Sequence, residues 1–130
     1  MSAPEAPRKL LFVDDDEVIT LLAEKTLQRA GVVVDCFTDP GAALEAFARA
    51  PDDYDIVVSD VRLGEADAFH MCGELLRMRP HVRIVLTSGL LREEDIERAR
   101  QLGIDEVLSK SQVLTHLPQL LRRLRPQPGA

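Results

Sequence analysis

Leu10-Leu11-Phe12-Val13-Asp14-Asp15-Asp16 is a short apolar run that ends abruptly in three carboxylates. Such a run reads as a buried strand of a parallel sheet, and in open α/β sheets ligands gather beyond the carboxyl ends of the strands. Neighbouring acids at that position repel one another and lose hydration together, so the bare cluster is destabilising. A hard divalent cation relieves the repulsion, because such ions favour carboxylate oxygen. The plainer explanation is a helix N-terminus, where Asp is favoured by capping and by the dipole. One Asp needs no more than that. Three directly after a strand point to a metal-carboxylate site.

Outward from this stretch, strand-like and helix-like patterns alternate. Ile19, Leu22, Ala23, Thr26 and Ala30 mark one helical stripe, and Gly31 suits its C-terminal end. Val32 to Phe37 is β-branched and reads as a second strand, and Asp39-Pro40 then supplies an N-cap and an N1 proline for a helix to about Ala50. Asp55 to Ser59 is a third strand ending at Asp60, and Val61 to Ala66 a loop. Asp67 caps a third helix with Phe69, Cys72, Leu75 and Leu76 on its apolar side, and Pro80 lies beyond its end. Arg83 to Thr87 is strand four, closed by Ser88-Gly89; Arg92 to Leu102 is a charged helix ended by Gly103; Asp105 to Ser109 is strand five, leading to Lys110. The last helix is expected from Thr115, with Pro118 in its first turn and Leu117, Leu120, Leu121 and Leu124 as its stripe.

This alternation predicts an α/β fold, a parallel five-stranded sheet with helices on both faces. At 130 residues the chain forms one domain, expected over 8–125 with flexible tails at 1–7 and 126–130. No run approaches the ~20 apolar residues of a membrane span, and residues 1–7 lack the features of a signal peptide. Cys36 and Cys72 have no ligand-like spacing and read as buried thiols of a reducing compartment, so the expected location is cytoplasmic. A net charge of −6 and 4% aromatic residues argue against direct nucleic-acid or membrane binding. The basic end with Arg122, Arg123 and Arg125 reads as a last helical turn suited to the dipole.

Right-handed crossovers bring the carboxyl ends of all strands to one edge. Asp14-Asp15-Asp16, Asp60, Thr87-Ser88 and Lys110 therefore gather at one rim. Taken singly, Asp60 is an ordinary strand-end turn residue, Ser88 half of a turn pair, and Lys110 a solvated charge. Their conjunction is a plausible phosphoryl-transfer site. Mg²⁺ takes one or two carboxylates plus substrate oxygens. A carboxylate standing alone beside it can act as nucleophile, while a lysine and a hydroxyl hold phosphoryl oxygens. Asp60 is alone at its strand end and suits the nucleophile; Asp14 and Asp15 are crowded and suit the metal.

These residues resemble the response-regulator receiver domain of two-component signalling over about residues 8–125. Val13-Asp14-Asp15-Asp16 resembles the family's acidic motif, Ile56 to Leu63 the strand and loop around its phosphoacceptor, Val85 to Gly89 its hydroxyl motif with Ser88 in the key position, and Leu108-Ser109-Lys110 its lysine segment. The resemblance implies a doubly wound, flavodoxin-like sheet of order 2-1-3-4-5. It also implies Mg²⁺ held by Asp14, Asp15, Asp60 and the backbone carbonyl of Arg62, with Asp60 as phosphoacceptor assisted by Ser88 and Lys110. This chain departs from the family pattern at Gly64, usually Pro; at Ala68, usually Gly; at Ser111, often Pro; and at Val107, normally an aromatic switch residue.

The expected activity is phosphoryl transfer from a histidine kinase or histidine phosphotransfer protein to Asp60, self-catalysed, with autodephosphorylation and no other enzymatic turnover. With Val107 in place of the ring, the Ser88–Leu91 loop is expected to carry most of the conformational change. Output is expected through a protein partner or self-association on the 92–124 face, whether the chain is a free-standing regulator or part of a longer protein. Two rivals are weighed. A haloacid-dehalogenase-like hydrolase would also form an aspartyl phosphate, but it needs acids downstream of its lysine, and residues 111–130 contain none. A receiver-like module that is never phosphorylated would typically lack one of the acids or the lysine, all of which are present here.

Overall fold

The computed structural model describes residues 9–104, 106–113, 115 and 119. Strand β1 (Lys9–Val13) is followed by α1 (Glu17–Arg29), β2 (Val33–Phe37), α2 (Pro40–Arg49) and β3 (Ile56–Asp60). A miniature antiparallel hairpin, Arg62–Leu63 against Ala66–Asp67, leads into α3 (Phe69–Met78). Then come β4 (Arg83–Ser88), α4 (Glu93–Gln101) and β5 (Glu106–Ser109). The five long strands are parallel in the order β2-β1-β3-β4-β5. This is the expected doubly wound α/β fold.

Alternation along the strands builds two cores. Leu11, Val13, Val57, Ile84 and Leu86 face α2, α3 and α4, where they pack with Phe47, Cys72, Leu75 and Ala99. Leu10, Phe12, Ile56, Val58 and Val85 face the other way, against Ala23 and Leu27 of α1 and Val113. Both faces of the central strands are covered, which is why β1 and β3 read as unbroken apolar runs. Phe47 is fully buried and stacks on Tyr54 with ring centroids 5.6 Å apart. Truncating such a side chain removes about 3–5 kcal/mol, a large part of the ~5–15 kcal/mol by which a domain is stable.

Several helix ends follow their local chemistry. Asp16 caps α1, its Oδ1 accepting from the N–H groups of Val18 (2.9 Å) and Ile19 (3.3 Å). Asp39 caps α2 by accepting from Ala42 N–H, with Pro40 in the first turn. Gly31 and Gly103 close α1 and α4 in the left-handed region, at φ +81° and +85°.

Three expectations need correction. The inward side of α1 is Thr20, Ala23 and Leu27, whereas Leu22 is 50% exposed alongside Val18 and Leu21. With Ala23 and Leu27 packed into the core beneath the sheet, both leucines at 21 and 22 face outward. The segment expected as a loop over 61–66 is instead closed into the hairpin. The last helix starts at 110, directly after β5, and not at Thr115. Ser109 and Gln112 form a reciprocal cap: the Gln112 N–H donates to Ser109 Oγ (3.3 Å), and the Ser109 N–H donates to Gln112 Oε1 (3.4 Å). Pro118, the stripe Leu117, Leu120, Leu121 and Leu124, the basic residues 122–125, and both tails lie outside the described residues.

Candidate functional site

Strand register builds the site. Val13 pairs with Ser59, Asp60 with Thr87, and Ser88 with Ser109. Asp14 and Asp60 therefore stand level along the strand direction, with Ser88 one residue and Lys110 two residues further on, at the carboxyl rim.

Asp14 is 1% exposed. Its Oδ1 accepts from the Asp16 N–H at 2.9 Å, and its Oδ2 lies 3.2 Å from Lys110 Nζ. Burial raises its pKa above the usual 3.8 and the charge of Asp60 adds to this, against the Asp16 N–H and the Lys110 ammonium, which lower it. Asp60 is also buried; its Oδ2 lies 2.8 Å from Lys110 Nζ, and its Oδ1 accepts from the Arg62 N–H at 3.4 Å. For Lys110, burial pulls the pKa down, but its hydrogen bond to Asp60 and the charges of Asp60 and Asp14 together hold it above 10.5. The lysine is thus a firmly charged bridge between two buried acids.

Asp15 is exposed, and its Oδ2 accepts from the Gly64 N–H of the hairpin at 3.0 Å. One oxygen each from Asp14, Asp15 and Asp60 lie within 4.8 Å of one another. One lysine ammonium stands against these three carboxylates. A hard oxygen donor set with excess negative charge suits a hard divalent cation such as Mg²⁺.

The two hydroxyls at the end of β4 differ. Thr87 Oγ1 donates to the Ser59 carbonyl (3.5 Å), toward the sheet interior. Ser88 Oγ donates to the Leu90 carbonyl (2.6 Å) and accepts from the Leu90 N–H (3.2 Å). Ser88 stands at the rim, as its position in sequence predicts, with its hydroxyl engaged in its own loop. Arg62 extends its side chain away from the acids toward Asp95 of α4, at 3.7 Å. Asp67 pairs with Arg98 at 3.2 Å, and the Arg98 guanidinium lies 4.3 Å from the Phe69 ring centroid.

Sequence reasoning therefore brought together Asp14, Asp15, Asp60 and Lys110, and it missed Gly64, Asp95 and Arg98. For Gly64 a signal existed: Gly-Glu between two short strands is a two-residue hairpin turn. For the ion pairs none did, because they depend on how α4 docks against the hairpin.

A doubly wound parallel sheet with an acidic triad and a lysine at its carboxyl rim places these charged groups where open α/β domains bind their ligands. A model of the response regulator receiver domain matches residues 10–122, so the chain belongs to that family and is a receiver domain of two-component signalling. The chain is similar to the alkaline phosphatase synthesis transcriptional regulatory protein PhoP of Bacillus subtilis, 30% identical over 121 residues covering 89% of this chain and 49% of that protein. It is also similar to the aerobic respiration control sensor protein ArcB of Escherichia coli, 28% identical over 118 residues covering 88% of this chain and 15% of that one. The chain thus spans half or less of the length of these curated relatives. The structure of the Vibrio cholerae chemotaxis protein CheY4 superposes with a TM-score of 0.82 at 25% identity, covering 92% of this chain and 99% of that one. No helix among the described residues is long and apolar enough to cross a membrane.

Proposed function

We propose that Asp60 accepts a phosphoryl group from the phosphohistidine of a histidine kinase or phosphotransfer protein, and that the resulting change is passed to a protein partner. The observation that supports this best is the buried Asp60 carboxylate, held 2.8 Å from Lys110 and within 4.8 Å of the Asp14 and Asp15 oxygens. An oxygen of Asp60 attacks phosphorus, the P–N bond breaks, and its electron pair returns to the imidazole of the donor as the aspartyl P–O bond forms. Mg²⁺, held by Asp14, Asp15, Asp60 and the Arg62 carbonyl, would neutralise phosphoryl oxygens in this in-line transfer. Lys110 is already on Asp60 and holds a phosphoryl oxygen as charge accumulates. Hydrolysis of the aspartyl phosphate resets the site, and no other turnover is proposed.

The added charge of about −1.5 to −2 draws Ser88 toward the phosphoryl group. To donate to a phosphoryl oxygen, the Ser88 hydroxyl must give up its bond to the Leu90 carbonyl, so the Ser88–Leu91 loop rearranges. That loop exposes Leu90 (68%) and Leu91 and leads directly into α4. This supports an output face over 92–124, of which 92–104, 106–113, 115 and 119 lie within the described residues. We take the receiver unit to span 8–125 and its location to be cytoplasmic.

Incubating the chain with a small acyl phosphate and Mg²⁺ tests the reading. Intact-mass measurement is expected to show one added phosphoryl group, absent from Asp60→Asn and absent when Mg²⁺ is chelated. An unlabelled wild-type chain would favour a receiver-like interaction module that is never phosphorylated.

A further inference from the structure

We propose that the backbone N–H of Gly64 is a positioning group for the cation, holding the exposed carboxylate of Asp15 in place and joining the two ligand-bearing loops. This rests on the metal reading above and concerns how this chain builds that site. The three acids share a pattern: each accepts one backbone N–H. Asp14 takes that of Asp16, Asp60 that of Arg62, and Asp15 that of Gly64. An ionised carboxylate has about four lone-pair sites, so a single N–H orients it and leaves the others for a metal.

Asp15 is the acid that most needs such help. Asp14 and Asp60 are buried and share Lys110, whereas Asp15 is exposed, so its rotamers would otherwise have to be frozen when the ion binds. Its donor comes from the hairpin, a distant part of the chain, and that donor is itself rigid. Leu63 pairs with Ala66, and the Ala68 N–H donates to the Val61 carbonyl at 2.8 Å, closing the loop around the turn. Gly64 stands at the first position of this two-residue turn with φ +68°. That is the type II′ arrangement, in which glycine is favoured at the first position. A Cβ at Gly64 would meet nothing within 4 Å, so conformation and not space selects glycine. Proline could neither adopt this φ nor supply the N–H.

The test replaces Gly64 by glycolic acid in the full chain, which exchanges the N–H for an ester oxygen and keeps the freedom of φ. Mg²⁺ and Ca²⁺ binding are measured by calorimetry without any phosphodonor. Mg²⁺ affinity is expected to fall about three- to tenfold, the size of one hydrogen bond. Ca²⁺ affinity should fall less, because Ca²⁺ tolerates irregular ligand geometry and Mg²⁺ does not. A second readout needs no metal: Asp15→Ala should accelerate hydrogen exchange at the Gly64 amide. Unchanged Mg²⁺ affinity in the ester, equal losses for both ions, or unchanged Gly64 exchange in Asp15→Ala each overturns the proposal while leaving the metal reading intact. A wild-type chain that takes up no Mg²⁺ overturns the metal reading and this proposal with it.

Discussion

The Arg62 guanidinium lies 3.7 Å from the buried carboxylate of Asp95, so the residue two positions beyond Asp60 is tied to the first turn of α4. Together with the Asp67–Arg98 pair, it bolts both strands of the hairpin to one helix. Arg62→Ala leaves Asp95 without this cation. Breaking a fully buried pair costs about 3–5 kcal/mol, but the Arg62 side chain is half exposed and solvent screens it, so a loss of about 1–2 kcal/mol is expected in urea unfolding. Adding Asp95→Asn should restore part of the loss, and a double-mutant cycle reads the coupling. Strictly additive effects would show that the pair contributes nothing.

Divalent cation should stabilise the chain by mass action. At ten to a hundred times Kd, Mg²⁺ is expected to add about 1.4–2.7 kcal/mol to the unfolding free energy. Thermal melts with Mg²⁺ and with a chelator measure this. Asp14→Asn and Asp15→Asn should each lose most of the increment, and the same increment in the double variant would contradict the ligand assignment.

Ser88 offers a readout of switching. With a beryllofluoride phosphoryl mimic, amide shifts are expected across Ser88–Leu91 and into the first turn of α4. Ser88→Ala should reduce these shifts and, through loss of the hydroxyl's bonds to Leu90, lower stability by about 1 kcal/mol. Shifts confined to the sequence neighbours of Asp60 would rule out the loop as the carrier of the change.

Both thiols titrate late. Burial, then the charges of Glu24 and Asp35, pushes Cys36 up from 9.0 to about 11; burial, with Asp67 adding, pushes Cys72 to about 12. At pH 8 the Cys36 thiolate fraction is about a thousandth, so alkylation should be slow and should accelerate about tenfold per pH unit. Because the folded chain holds this proton more tightly than the unfolded one, the contribution to stability is complete below pH 9.0 and lost as pH rises to about 11. Cys36→Ala should flatten that part of the alkaline stability curve.

Much of the frame is legible in the chain because its signals are local. Asp39-Pro40 starts a helix by itself, and β-branched runs ending in Asp or Ser mark buried strands whose carboxyl ends right-handed crossovers bring to one edge, whereas the strand order was implied only by the family resemblance. Phase and pairing were harder. Taking Leu22 as an inward residue of α1 follows hydrophobicity, but the side that meets the sheet carries Thr20, Ala23 and Leu27, which depends on tertiary packing. The start of the last helix at 110 was written in Ser109-Lys110-Ser111-Gln112, a capping box that lay between a strand and an expected loop. The site acids were visible as a group, whereas the bond from Gly64 to Asp15 requires the hairpin to exist first.

That capping box also decides where the site can yield. Lys110 follows the last residue of β5 and begins the next helix, so no slack backbone separates sheet from helix at this point. When the charge on Asp60 changes, the junction cannot drift to follow it, and the accommodation falls to the methylene stem of the lysine. The ammonium travels on a compliant arm mounted on a stiff base. The opposite holds at Ser88, whose short side chain has no reach and must bring its backbone along.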